Sequence, residues 1–287
     1  MPHANANGID MWYEVHNPDA GGVPLVMTHG FAGPSRQWLP ELEPLWQKRT
    51  VITYDVRGHD RSTGPASVEE YSIPVFASDL AALLKEIGVE KAHVGGVSMG
   101  GMVTAQFAVD YPEMCASVLI CDSTCGNGAD SGPGGDWERG MLRGFGALKH
   151  MVEKYGLFET SDREYEWKLQ NDPHIAESPY THEDDYTRLK LMTVEGYLGA
   201  AHAILTRPDL TDRVRSIRAP TLIMIGEWDD FLPCALRDAK LIPNSRLVVR
   251  ERCGHGSRWR VETFVSEIES FLAAVEAGEL LVTEARV

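Results

Sequence analysis

Gly96, Ser98 and Gly100 form a Gly-x-Ser-x-Gly motif between the apolar run Ala92–Val97 and a helix-like stretch from Met102 to Ala108. A serine at so tight a strand-to-helix turn has strained backbone angles, and the two glycines leave room where a Cβ would collide. The turn exposes the Ser98 hydroxyl as a nucleophile. It also puts the Met99 N–H at a helix N-terminus, where free N–H groups and the helix dipole favour a developing oxyanion. A serine hydroxyl attacks well only when a base takes its proton and an acid orients that base. His255, flanked by Gly254 and Gly256 beyond the last apolar run, is the candidate base. Asp229, just past Gly226 at the end of the preceding run, is the candidate acid, with Asp230 beside it and Asp122 at another strand end as alternatives. A short Gly-x-Ser-x-Gly match also describes an ordinary glycine-rich turn, so the argument rests on three groups arriving together at strand ends.

The elements that must position these groups follow from the hydrophobic pattern. Strand-like runs occur at Ile9–Val15, Val23–Thr28, Thr50–Tyr54, Lys91–Val97, Cys115–Asp122, Ala219–Gly226 and Ser245–Arg250. Most are continuously apolar, as in strands covered on both faces. Amphipathic helices are predicted at Arg36–Lys48, at Ser72–Gly88 with Ser72 as cap and Gly88 as stop, at Pro233–Leu241 and at Trp259–Val275. Strands alternating with helices predict an α/β fold with a mostly parallel central sheet and helices on both faces. The alternation breaks between residues 126 and 205, where a glycine-rich entry precedes helix-prone stretches at Trp137–Tyr155, Ser161–Asn171 and Glu183–Leu205. This predicts a core of residues 1–125 and 206–287 with a helical cap at 126–205. The tail after Gly278 is expected to be loosely held.

Composition narrows the function classes. The formal net charge of −15 opposes binding to nucleic acid or anionic membrane. Hydrophobic content of 43% and charged content of 24% are those of a soluble globular chain. The N-terminal residues show no signal-peptide pattern and no apolar run is long enough to span a bilayer, so a cytoplasmic location is expected. Cys115, Cys121, Cys125, Cys234 and Cys253 follow neither a disulfide nor a zinc spacing, and His59, His150, His174, His182 and His202 are scattered; no metal and no cofactor are expected.

The chain is identified as a member of the α/β-hydrolase superfamily by its motifs in order: His29-Gly30-Phe31, Asp55-x-Arg57-Gly58-x-x-x-Ser62, Gly96-x-Ser98-x-Gly100-Gly101, Gly226-x-x-Asp229-x-x-x-Pro233 and Gly254-His255. Ser98-Met99-Gly100-Gly101-Met102 with Ala105-Gln106 and Tyr111-Pro112 is similar to 3-oxoadipate enol-lactonases and related esterases. The resemblance implies that Ser98, His255 and Asp229 form a catalytic triad and that the backbone N–H groups of Phe31 and Met99 bind the oxyanion. It departs from the family at Asp60, where glycine is usual. His29, Trp38, Trp137 and Trp228 are expected near the substrate pocket, and Arg139, Arg143, Lys149, Arg188 or Lys190 would have to turn inward to meet an anionic substrate. The expected activity is hydrolysis of a small ester or lactone through an acyl-enzyme. Competing expectations are carbon–carbon bond hydrolysis of aromatic ring-cleavage products, perhydrolase-like activity, and ligand sensing on a hydrolase scaffold. A homodimer through the cap or the last helix is compatible with the sequence.

Overall fold

The computed structural model describes residues 2–279. The chain after residue 279, where a loose tail is expected, lies outside the described residues. Eight strands form one sheet: β1 (His3–Ala6), β2 (Ile9–His16), β3 (Leu25–Thr28), β4 (Val51–Tyr54), β5 (Ala92–Val97), β6 (Cys115–Cys121), β7 (Thr221–Gly226) and β8 (Ser245–Arg250). Their spatial order is β1-β2-β4-β3-β5-β6-β7-β8. The pairings β1/β2 and β2/β4 are antiparallel and the rest are parallel.

β1 is absent from the sequence-based expectation. It forms because Asn7 and Gly8 both adopt positive φ, 54° and 82°, the conformation that a tight two-residue hairpin requires. The remaining strands match the apolar runs to within two residues at each end.

Alternate strand residues face two apolar layers. One layer gathers Val26, Val94, Val118 and Ile223 with Phe76, Leu80 and Leu84 of α2 (Ile73–Glu86), Val103 and Phe107 of α3 (Met99–Asp110), and Ala235 of α7 (Leu232–Leu241). The other gathers Leu25, Met27, Leu119 and Leu222 with Leu42 of α1 (Leu39–Trp46) and Phe264, Ile268 and Phe271 of α8 (Val261–Glu276). Ser72 caps α2 by accepting from Val75 N at 3.2 Å. All five cysteines are buried free thiols.

Between β6 and β7 lies an insert of three helices, α4 (Pro133–Asn171), α5 (His182–Leu189) and α6 (Val194–Leu205). The first two helices expected there run together into α4, with a break at Gly156, where φ is 79°. The third divides, because Thr193 caps a new helix by accepting from Gly196 N at 3.0 Å. α4 is fixed to the sheet side by a buried ion pair. The fully buried Glu138 meets both terminal nitrogens of Arg237 on α7, at 3.2 and 2.7 Å, and also accepts from Gly128 N at 2.8 Å. Arg237 also meets Asp238 at 2.8 Å, so removing Glu138 leaves the guanidinium partly paired but orphans the Gly128 N–H. Glu138→Ala should therefore lower unfolding free energy by about 2–3 kcal/mol in urea titration, and a loss below about 1 kcal/mol would show that this joint carries little.

Candidate active site

Ser98 stands between β5 and α3 with φ 58° and ψ −119°. Its neighbours could hardly be other than glycine. A Cβ on Gly96 would lie 2.3 Å from Gly100 O, and one on Gly100 would lie 2.2 Å from Thr28 O. The turn is held by hydrogen bonds on both sides of the serine. Ser98 N donates to Cys121 O at 3.0 Å, and Ser98 O accepts from Ser123 Oγ at 2.7 Å and from Gly101 N at 2.9 Å. An ideal Cβ on Gly30 would lie 3.5 Å from Ser98 Cβ, so the His29-Gly30-Phe31 loop adjoins the serine. Among the described residues, neither the Phe31 N–H nor the Met99 N–H has a backbone acceptor. Both candidate oxyanion donors are unspent.

Asp229 and His255 meet. His255 Nδ1 lies 2.8 Å from Asp229 Oδ2, and the other carboxylate oxygen accepts from Phe231 N at 2.9 Å. A carboxylate only accepts, so Nδ1 carries the proton, and in the neutral ring Nε2 keeps the lone pair that a base needs. Burial opposes the imidazolium, but the charge and hydrogen bond of Asp229, with Asp122 and Asp230 farther off, outweigh it and raise the His255 pKa above the ordinary 6.5. The side chain is crowded by protein yet 42% accessible, and solvent screening reduces this lift without reversing it.

Asp122 has a different task. Its Oδ1 accepts from Gly226 N at 3.1 Å and its Oδ2 faces Arg250 Nη2 at 3.1 Å, both side chains being fully buried. Arg250 also donates to Trp259 O at 2.7 Å and Gly256 O at 3.1 Å, which bracket the loop that follows His255. Burial pushes the Asp122 carboxyl upward, while the Asp122 charge holds Arg250 firmly cationic. These directions pull against each other, and the two donors on the carboxylate favour the ionised pair. Asp230 is exposed.

The expected pocket residues are placed elsewhere in part. His29 is fully buried, its Nδ1 donating to Gly30 O and its Nε2 accepting from Val56 N, both at 2.9 Å. It braces the loop. Trp38 is fully buried and stacks on Phe264 at 6.5 Å, so it is core. Trp38 is enclosed in the layer beneath α1 and α8, and His29 is enclosed by Gly30, Val56 and the His59 ring. Trp137 is 45% exposed and lines an open cavity of about 330 Å³ with Pro133, Asp136, Gly140 and Arg143, none of which belongs to the Ser98, Asp229 and His255 set. Trp228 is half-buried, stacked on His174 at 3.8 Å and edge-on to Trp259 at 5.7 Å.

Of the candidate cations, Arg188 alone is seen to touch the oxyanion loop, through Phe31 O at 3.1 Å. Arg139 instead binds Gly128 O and Asp130 O. Sequence reasoning also passed over Arg250 and Tyr180, whose hydroxyl lies where a Cβ on Gly256 would fall. Only the Arg250 position, closing a strand next to the histidine loop, carried a readable signal.

A mostly parallel sheet covered on both faces carries a strained serine after β5 and an Asp229–His255 contact after β7 and β8. The chain belongs to the α/β hydrolase fold family, which it matches over residues 23–259. It is 29% identical over 263 residues to a protein named "Putative carbamate hydrolase RutD" from Azorhizobium caulinodans, covering 86% of this chain and 88% of that one. An esterase from Thermogutta terrifontis superposes with a TM-score of 0.76 at 25% identity, over 95% of this chain and 98% of that one. The enol-lactonase of Burkholderia xenovorans LB400 does so at 0.78 and 21% identity, over 95% and 100%.

The departure at Asp60 has a local explanation. Its φ is 42°, a left-handed conformation that aspartate tolerates better than most residues. Its carboxylate is tied to Arg36 at 2.6 Å. Asp60→Gly trades that pair, in which the carboxylate is nearly buried and the guanidinium exposed, for relief of strain and should change stability by about 1 kcal/mol or less. Asp60→Val, β-branched at the same φ, should cost about 2 kcal/mol in the same denaturation assay; equal costs for the two would show that the backbone is unstrained.

Proposed function

We propose that the chain is a serine hydrolase that cleaves a carboxylic ester or lactone, with residues 126–205 as a cap over the site. The observation that carries this reading is the 2.8 Å contact between His255 Nδ1 and Asp229, which leaves the opposite ring nitrogen basic at the sheet edge that bears Ser98. Ser98 Oγ attacks the acyl carbon as His255 Nε2 takes its proton. The Phe31 and Met99 N–H groups receive the oxyanion, and the imidazolium returns the proton to the leaving oxygen. Water, activated by the same base, then releases the acid. The relatives described as an esterase and a carbamate hydrolase support acyl chemistry. Among the described residues, no cluster of His, Cys, Asp or Glu could hold a metal and no helix is long and apolar enough to cross a membrane.

The test is turnover of p-nitrophenyl acetate and butyrate, an enol-lactone, a carbamate ester and a ring-cleavage dienone. Ser98→Ala should lower kcat by about 10⁴-fold or more. Cleavage of the dienone alone would replace ester chemistry by carbon–carbon bond hydrolysis, and ligand-dependent stabilisation without turnover would favour a sensor. The pH profile follows from the His255 shift. Only neutral imidazole accepts the serine proton, so kcat/KM should rise with pH along a limb whose apparent pKa exceeds 6.5. Asp229→Asn removes the charge that raises it, so the limb should move down while kcat falls roughly 10⁴-fold. A wild-type limb below 6.5 that Asp229→Asn leaves in place would assign the titration to another group.

A further inference from the structure

The Phe31 N–H sits in a turn that is not at ease. Gly33 N donates to Gly30 O at 3.2 Å, closing the four residues, and Ala32 takes φ 52°. A non-glycine residue in this region is strained, and the turn could relax by rotating the Phe31–Ala32 peptide. The carbonyl of that peptide is where Arg188 binds. Arg188 Nη1 donates to Phe31 O at 3.1 Å, and Nη2 meets Asp185 Oδ1 at 2.6 Å on the same helix, α5. The insert grips the loop by packing as well. The Phe31 ring lies edge-on to Phe145 at 5.0 Å and to Tyr197 at 4.7 Å, and Ala32 is part of the insert's own apolar cluster with Val152 and Leu189.

We infer that Arg188 is a positioning residue for the oxyanion hole: by pinning the Phe31 carbonyl it holds the strained turn and anchors residue 31, and so fixes the place of the Phe31 N–H on the adjoining Gly30–Phe31 peptide. The inference rests on the hydrolase reading above and deepens it. Its acceptor is a backbone carbonyl, and its charge is already answered by Asp185, so the contact acts through geometry rather than by attracting an anion. Loosening it disturbs a donor needed most when charge develops on the substrate oxygen. The loss therefore falls on kcat more than on KM.

The experiment uses the full chain with p-nitrophenyl butyrate as substrate, a butyl boronic acid as tetrahedral mimic and butyrate as ground-state competitor. Thermal melting is recorded for every variant. Arg188→Gln should lower kcat about 10-fold to 100-fold and weaken the boronic acid by a similar factor. KM and butyrate inhibition should stay within about 2-fold. Arg188→Lys, which keeps one donor, should recover part of the loss. Asp185→Ala, which frees the second hold on the guanidinium, should show the same pattern at smaller amplitude and serves if Arg188→Gln does not fold. Arg163→Gln is the control, since that guanidinium meets Glu159 and the Tyr155 ring on its own helix, and it should leave all four readings unchanged. Wild-type kcat in the folded variants, or a change in KM alone, would overturn the role of Arg188 and leave the hydrolase reading intact. A wild-type protein that turns over none of the proposed substrates would instead overturn the hydrolase reading, and the role of Arg188 with it.

Discussion

The backbone of Ser98 is held where an L-residue gains nothing locally, and much of the surrounding structure exists to keep it there. A residue at φ 58° and ψ −119° carries strain of the order of 1–3 kcal/mol. The strain is offset by bonds to Cys121 O and Ser123 Oγ, and by a packing so close that Gly96 and Gly100 can carry no side chain. Left-handed backbone recurs along the same edge. Ala32 follows β3, Asp60 follows β4, Asp122 follows β6 and Arg252 follows β8, all at positive φ. Parallel strands all end on one side of a sheet, so loops that turn sharply there bring their side chains to one place. The candidate site and the strained backbone share an edge because the same sharp turns produce both.

Charge in this site is organised in two ranks. Asp229 faces the imidazole directly and is held by Phe231 N, whereas Asp122 sits behind it and is answered by Arg250. Removing both charges would leave His255 without orientation, but placing both against it unpaired would overload a buried corner with negative charge. Arg250 resolves that conflict. It neutralises the rear carboxylate and, through Trp259 O and Gly256 O, fixes the loop that presents the histidine. A fully buried ion pair is weak support for stability in itself. Its use here is to hold β6, β8 and the base loop in one register.

The sheet was legible because each parallel strand, buried on both faces, is a short apolar run bounded by glycine, proline or charge. Ser98, Asp229 and His255 could be singled out as candidates because they occupy the ends of those runs, and the structure brings the last two into contact. β1 was missed although Asn7-Gly8 is a strong hairpin signal, since its short strand, His3–Ala6, has no apolar run. The aromatic pocket was misread at Trp38 and His29 because proximity in sequence to a loop does not say on which side of the sheet a side chain lies. A strand alternates faces every residue, and a loop obeys no such period. The insert was recognised by its lack of strands, but its joints could not be read. Arg139 and Arg188 look alike in sequence, and only the fold sends one to the Gly128 carbonyl and the other to Phe31.

Those joints divide the site between two bodies. Ser98, Met99, Asp229 and His255 hang from the sheet through α3 and the loops after β7 and β8. Phe31 follows β3, yet its ring and its carbonyl are held by the insert. The two N–H groups proposed to receive an oxyanion therefore answer to different parts of the chain. One is rooted in a helix N-terminus packed into the core; the other depends on how the insert is seated. Glu138 and Arg237 fix that seating at one end of α4 by a buried pair, whereas the contacts around Phe31 are aromatic edges and one guanidinium. The contacts between the insert and the turn after β3 are few, and so they leave little trace in a single sequence.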